Sequence, residues 1–133
     1  FRVLAALAAT AILVGSLVPV SGYGIDASDK LLHSVAYLVL AALLGMSLNE
    51  SPRLSGRGLQ FLLVWSSTVV FGALIELVQP VTGREADFAD FVANTLGAVV
   101  GTGLSALLHA LLRPSGSARR MSSGVPGIGE PAE

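Results

Sequence analysis

Two groups of side chains in this sequence are of the types that move protons or hold anions. The first is Glu76, Gln79, Arg84, Asp87, Asp90 and Asn94, in a run that leaves one apolar block, turns, and enters another. The second is Asp29, Lys30, His33 and Tyr37, at the start of an earlier apolar block. His33, Glu76 and Asp90 are the candidate catalytic residues, because imidazole and carboxyl groups act as general acids and bases. Lys30, Gln79, Arg84 and Asn94 are the candidate substrate-binding residues. Among them Arg84 offers a planar fork suited to phosphate or carboxylate. Asp29, His33 and Tyr37 stand at i, i+4 and i+8, so a helix places them on one face. There Asp29 would fix the tautomer of His33.

Each residue also has a structural use. Asp87 suits the N-cap of the helix that follows, with Asp90 at its third position, and capping and the helix dipole explain both without chemistry. Asp90 and Asn94 are four apart, and Gly97 and Gly101 continue the same face. Those two glycines have the small-xxx-small spacing that admits a second helix at close range. Glu76 lies near the end of its block and could simply reach water. An acid at mid-bilayer costs on the order of 3 kcal/mol, and the cost falls toward the interface. Gln79 on a similar face favours a functional role or an interhelical lock over passive exposure. His33 serves equally well as a hydrogen-bonded packing residue. Lys30 and Tyr37 read most simply as interfacial anchors. Trp65 reads as packing or lipid contact, and His109 as a snorkelling or bonded residue. Asp29, His33, Glu76 and Asp90 are metal-ligating types but lack a diagnostic spacing, so no metal site is expected. No phosphate-binding Gly-rich loop, His-Glu-x-x-His or nucleophile elbow is present, and no cofactor is indicated.

The elements that must carry these groups are apolar. Of 133 residues, 53% are hydrophobic and 13% charged, well below the quarter usual in soluble domains. Net charge is −1, which gives no nucleic-acid footprint. There is no cysteine, hence no disulfide and no thiol chemistry. Four apolar blocks follow one another: Phe1–Val20, Leu31–Leu48, Gln60–Val78 and Phe91–Leu112. A membrane helix needs roughly 20 such residues. The first block is longer than the core of a signal peptide and has no clear cleavage site after it, so it is read as a retained helix. The chain begins at Phe1 without an initiator Met, and its true start is read as lying upstream. Residues 1–112 are thus one domain, and 113–133, rich in Gly, Ser and Pro, are expected to be a disordered cytoplasmic tail.

Four spans put both termini on one side. The N-terminus, the Asn49–Gly58 loop and the tail hold Arg2, Arg53, Arg57, Arg113, Arg119 and Arg120, against Lys30 and Arg84 on the other face. Six basic residues against two place the termini in the cytoplasm. Both polar groups then gather at the outer face, an outcome that did not enter the charge count.

The pattern Asp29-Lys30-x-x-His33-x-x-x-Tyr37, Glu76-x-x-Gln79, Gly83-Arg84, Asp87-x-x-Asp90 and Asn94-Thr-Leu-Gly97-Ala-x-x-Gly101 resembles the VanZ-like family of small bacterial membrane proteins. The resemblance covers the four-span core and leaves out the tail. Thr82 stands before Gly83-Arg84 where a Pro-Gly-Arg turn is expected. The family is named for a member that gives low-level resistance to teicoplanin, so the resemblance implies a cell-envelope context and not a mechanism. The expected protein is an all-α bundle of four transmembrane helices in the cell membrane. Its polar centre would bind or modify a lipid-linked cell-wall precursor or a lipid headgroup at the outer face. The alternative is a non-enzymatic scaffold whose polar residues lock the bundle. A small-solute transporter is disfavoured by the lack of deep charges and broken helices.

Overall fold

The computed structural model describes residues 1–18, 27–49, 56–83 and 87–112, with the side chains of 27–29 excepted. The Asp29 side chain, Arg84 and the tail 113–133 therefore lie outside the described residues. Every described element is helical: α1 Arg2–Leu17, α2 Ala27–Asn49, α3 Arg57–Val78, a short 3-10 helix Gln79–Thr82, and α4 Phe88–Leu112.

Among the described residues three segments are long and apolar enough to cross a membrane: Lys30–Asn49, Arg57–Thr82 and Phe88–Leu112. The expectation was four. In the first block, apolar to Val20, the described helix has 16 residues, about 24 Å at 1.5 Å per residue against a hydrocarbon core of about 30 Å. Its C-terminal end has a local cause. Val18 has φ −75° and ψ 121°, the extended backbone favoured in a residue that precedes proline, here Pro19.

Helices α2 and α4 form the closest pair. Contacts along the pair rise in number together, Ser34 with Gly97, Leu38 with Gly101, Gly45 with Ser105, so the two run parallel. Helix α3 returns between their ends. A Cβ on Gly97 would stand 2.9 Å from the Ser34 carbonyl carbon and 3.1 Å from the Leu38 nitrogen. On Gly101 it would stand 2.9 Å from the carbonyl carbon and Cα of Leu38. Backbone meets backbone at both places, and no side chain fits. Below this seam a small core of Ala41, Val64 and Ala98 is covered by Leu44, Leu48, Trp65 and Val69. Helix α1 packs mainly on α2 and also touches α3 and the 3-10 helix.

The large apolar side chains point outward. Leu77 is 74% exposed, Val81 85%, Phe88 78% and Leu111 70%. Water would strip such a surface of its stability, and lipid matches it. Four buried serine and threonine hydroxyls bond within their own helices. Thr68 donates to the Val64 carbonyl at 2.7 Å, Thr102 to Ala98 at 2.7 Å, Ser105 to Thr102 at 2.8 Å and Ser47 to Leu43 at 2.8 Å.

Candidate functional site

The parallel run of α2 and α4 brings their N-terminal ends together, and α3 delivers its C-terminal end to the same place. Lys30 lies in the first turns of α2, Asp90 in the first turn of α4 and Glu76 in the last turn of α3. Two helix N-termini, each with positive dipole character, thus face a set of carboxylates.

Asp87 begins α4. Its Oδ1 accepts from the backbone N–H of Ala89 at 2.8 Å, which satisfies one orphan donor of the first turn. Its Oδ2 accepts from Lys30 Nζ at 2.7 Å, and Asp90 Oδ1 accepts from the same ammonium at 3.2 Å. The Lys30 hydrogen bond, helped by the Ala89 N–H, holds the Asp87 carboxyl below the ordinary carboxylate range. The sequence reading that set Lys30 beside Arg84 to hold an anion thus meets a cation that two aspartates already engage. A lowered folded-state pKa means that the pair stabilises the fold above the ordinary carboxylate pKa. That contribution is lost as pH falls through the lowered folded value. Asp87→Asn keeps a capping side chain but removes the charge. Thermal melts in detergent should therefore show wild type above Asp87→Asn from pH 7 to about pH 4, with the gap closing below. A gap unchanged down to pH 2.5 would show that the ion pair stabilises nothing.

His33, Glu76 and Asp90 meet one layer further in. One ligand-type atom from each lies within 4.8 Å of the others. Glu76 therefore does approach the face that carries His33. His33 Nδ1 stands 3.3 Å from Asn94 Oδ1, one turn along α4 from Asp90. Glu76 is 8% exposed, Asp90 7%, His33 9% and Asn94 1%. Neither carboxylate oxygen of Glu76 has a hydrogen-bond partner.

Two residues join the cluster that the sequence did not assign to it. Tyr37, read as an interfacial anchor, is 1% exposed. It sits one turn below His33 on α2, with its ring 6.3 Å from that of Phe71 on α3. Gly72 makes the room: a Cβ there would stand 3.0 Å from Tyr37 Cε1 and 3.3 Å from its hydroxyl. Glu76 follows Gly72 by one turn, so Tyr37 and His33 face Gly72 and Glu76 across the α2–α3 contact. The spacing of Asp29, His33 and Tyr37 already placed Tyr37 on this face. The glycine opposite it left no such signal.

Gln79 is buried in the 3-10 helix, and its Nε2 donates to the Ser16 carbonyl of α1 at 3.4 Å. Thr82 Oγ1 donates to the Gln79 carbonyl at 2.9 Å. Gly83 closes the turn with φ 81° and ψ 12°, a left-handed conformation that suits glycine. With Thr82 where a proline was expected, the turn is closed by that hydroxyl and by the glycine.

Polar atoms without partners concentrate here. Tyr37 Oη, both Glu76 oxygens, Gln79 Oε1 and Asn94 Nδ2 are buried and unbonded among the described residues, with Trp65 Nε1 in mid-α3 the other such atom. Each unsatisfied buried group costs about 1–3 kcal/mol, more if charged. The helices that hold those serine and threonine hydroxyls leave Glu76, Asn94, Gln79 and Tyr37 with open polar atoms. That arrangement can bind a polar ligand and can pass protons between imidazole and carboxyl groups.

The family model described as VanZ/LLP1 matches residues 4–109, a stretch that includes every residue of the cluster. No curated protein and no solved structure matches the chain.

Proposed function

The chain belongs to the VanZ/LLP1 family, and from that premise we propose that it binds or modifies a lipid-linked or headgroup molecule at the outer face of the bacterial cell membrane. The observation that carries this reading is the Glu76 carboxylate, buried with both oxygens unpartnered and within 4.8 Å of His33 and Asp90. In this reading His33, Glu76 and Asp90 exchange protons with the substrate, Asn94 and Gln79 bind it, and Arg84 supplies the anion-holding fork. Lys30 takes a positioning role, holding Asp87 and Asp90. The lipid-facing side chains Leu77, Val81 and Phe88 flank the site, which supports a substrate that arrives within the leaflet.

We read α1 as a fourth span, with its outward Leu4, Leu7 and Leu13 in lipid, and both termini as cytoplasmic. Cysteines placed singly at Ser55 and Thr82 test the orientation in a chain that has none of its own. In intact cells an impermeant thiol reagent should label Thr82→Cys and leave Ser55→Cys unlabelled until the cells are broken. The reverse pattern would move the cluster to the cytoplasmic face. The function itself is tested by comparing envelope lipids, cell-wall precursors and teicoplanin susceptibility with and without the gene. An accumulated lipid-linked species is the expected result, and identical profiles would sink the proposal.

A second reading is a scaffold. Lys30 with Asp87 and Asp90, and His33 with Asn94, bridge α2 to α4, as a lock between helices would.

A further inference from the structure

We propose that His33, Glu76 and Asp90 are the protein ligands of one divalent transition-metal ion of the Zn²⁺ or Mn²⁺ class. The inference rests on the reading of this cluster as a working site, and adds to it an ion that the spacing in sequence did not suggest.

The donor set comes first. One imidazole and two carboxylates, from three different helices, present atoms within 4.8 Å of one another. A point at the centre of a triangle with 4.8 Å sides lies about 2.8 Å from each corner. Zinc bonds to nitrogen and oxygen run about 2.0–2.2 Å, so side-chain rotations of less than about an ångström close the shell. Three protein ligands leave coordination positions open, the form that catalytic metal sites take. A mixed N/O set without sulfur suits zinc and manganese. It is too nitrogenous for magnesium or calcium and too hard for copper(I).

The surroundings supply what ligands need. His33 Nδ1 stands 3.3 Å from Asn94 Oδ1, and in the tautomer that donates this bond the lone pair a metal takes is on Nε2. An outer partner of this kind orients nearly every metal-bound histidine. Asp90 has its own outer partner in Lys30 Nζ at 3.2 Å. Glu76 has none, and it is 92% buried with both oxygens unbonded. A buried carboxylate in that state needs a proton or a cation. Geometry favours the cation: an imidazole and a second carboxylate each bring a ligand-type atom within 4.8 Å of a Glu76 oxygen.

The test uses the full chain in lipid nanodiscs, stripped with chelator and then titrated separately with Zn²⁺, Mn²⁺ and Mg²⁺. Bound metal is counted by mass spectrometry after desalting, and thermal melting is followed in parallel. One equivalent of Zn²⁺ or Mn²⁺ per chain is expected, with a rise in melting temperature and no comparable effect of Mg²⁺. Glu76→Gln and His33→Gln should each weaken binding at least 10-fold. Asp87→Asn, which alters a neighbouring charge but no ligand, should keep full stoichiometry. Failed uptake by wild type, or equal uptake by Glu76→Gln, would overturn the metal site. An envelope phenotype that persists in that case would leave the acid–base reading standing. To cover variants that do not fold, Co²⁺ is bound to wild type, where visible d–d absorption should appear and be displaced by Zn²⁺. A colourless Co²⁺ titration would also count against the site.

Discussion

Glu76→Gln and Asp90→Asn should each abolish the envelope phenotype while leaving expression and detergent stability near wild type. The amide keeps the shape and most hydrogen-bonding capacity of the acid, and removes the charge and the proton-accepting oxygen. Loss of a general acid or base lowers rates by about 10²–10⁴, so the residual activity of either variant should fall below about 1%. The scaffold reading orders the variants differently. A neutral amide still bonds across helices, and such bonds are worth only about 0.6 kcal/mol on average in membranes, so both variants should be nearly silent. The structure sharpens the contrast at Glu76, whose oxygens make no hydrogen bond that an amide would break. Structurally, Glu76→Gln should be the milder change, and Asp90→Asn, which weakens the contact with Lys30, the harsher. Arg84→Lys adds a discriminator, because it keeps the charge and loses the planar fork. It should impair a bidentate anion site. If both carboxylate variants keep the phenotype, the enzyme reading is wrong.

Gly97→Leu and Gly101→Leu should remove the folded protein altogether. At both positions even a first carbon runs into the α2 backbone at Ser34 and Leu38, and backbone cannot rotate away as a side chain can. Overpacking in a dense interior costs about 1–3 kcal/mol where side chains can adjust. Here whole helices must separate, so a larger loss is expected, together with the α2–α4 register on which the site depends. The measurement is the monodisperse fraction in size-exclusion chromatography. Gly58→Leu, where a new Cβ meets nothing within 4 Å, is the control. A Gly101→Leu variant that elutes and melts like wild type would mean that α2 and α4 do not meet along this seam.

Much of this architecture was legible. The apolar blocks located all four helices, with errors of a few residues where a helix starts in polar sequence. Helix α2 begins at Ala27, before the apolar run from Leu31, and α3 begins at Arg57 rather than Gln60. Hydropathy cannot register a first turn made of charged residues. The first block misled in the other direction. Composition continues to Val20, but the backbone leaves the helix at Val18, ahead of Pro19. At the site, local spacing put His33 with Tyr37, and Asp90 with Asn94, each on one face. What a single sequence cannot supply is the partner across a helix contact. Tyr37 is buried because Gly72 faces it, and Lys30 is engaged because Asp87 and Asp90, nearly 60 residues away, lie within its reach. Those are facts of register between helices, and register is written in packing rather than in periodicity.

The hydroxyls that turn back on their own helices bear on how the protein is made. Thr68, Thr102, Ser105 and Ser47 hold carbonyls within the same helix, so these four hydroxyls need no neighbour when their helices leave the translocon singly. Each can rest in lipid before it meets another, in keeping with a two-stage route in which insertion precedes association. His33, Glu76 and Asp90, which do need a neighbour, sit toward one end, where headgroups and water can serve them while they wait. Biogenesis should therefore tolerate a pause between spans, and the cluster of His33, Glu76 and Asp90 should be the last part of the molecule to assemble, complete only once α4 has docked beside α2.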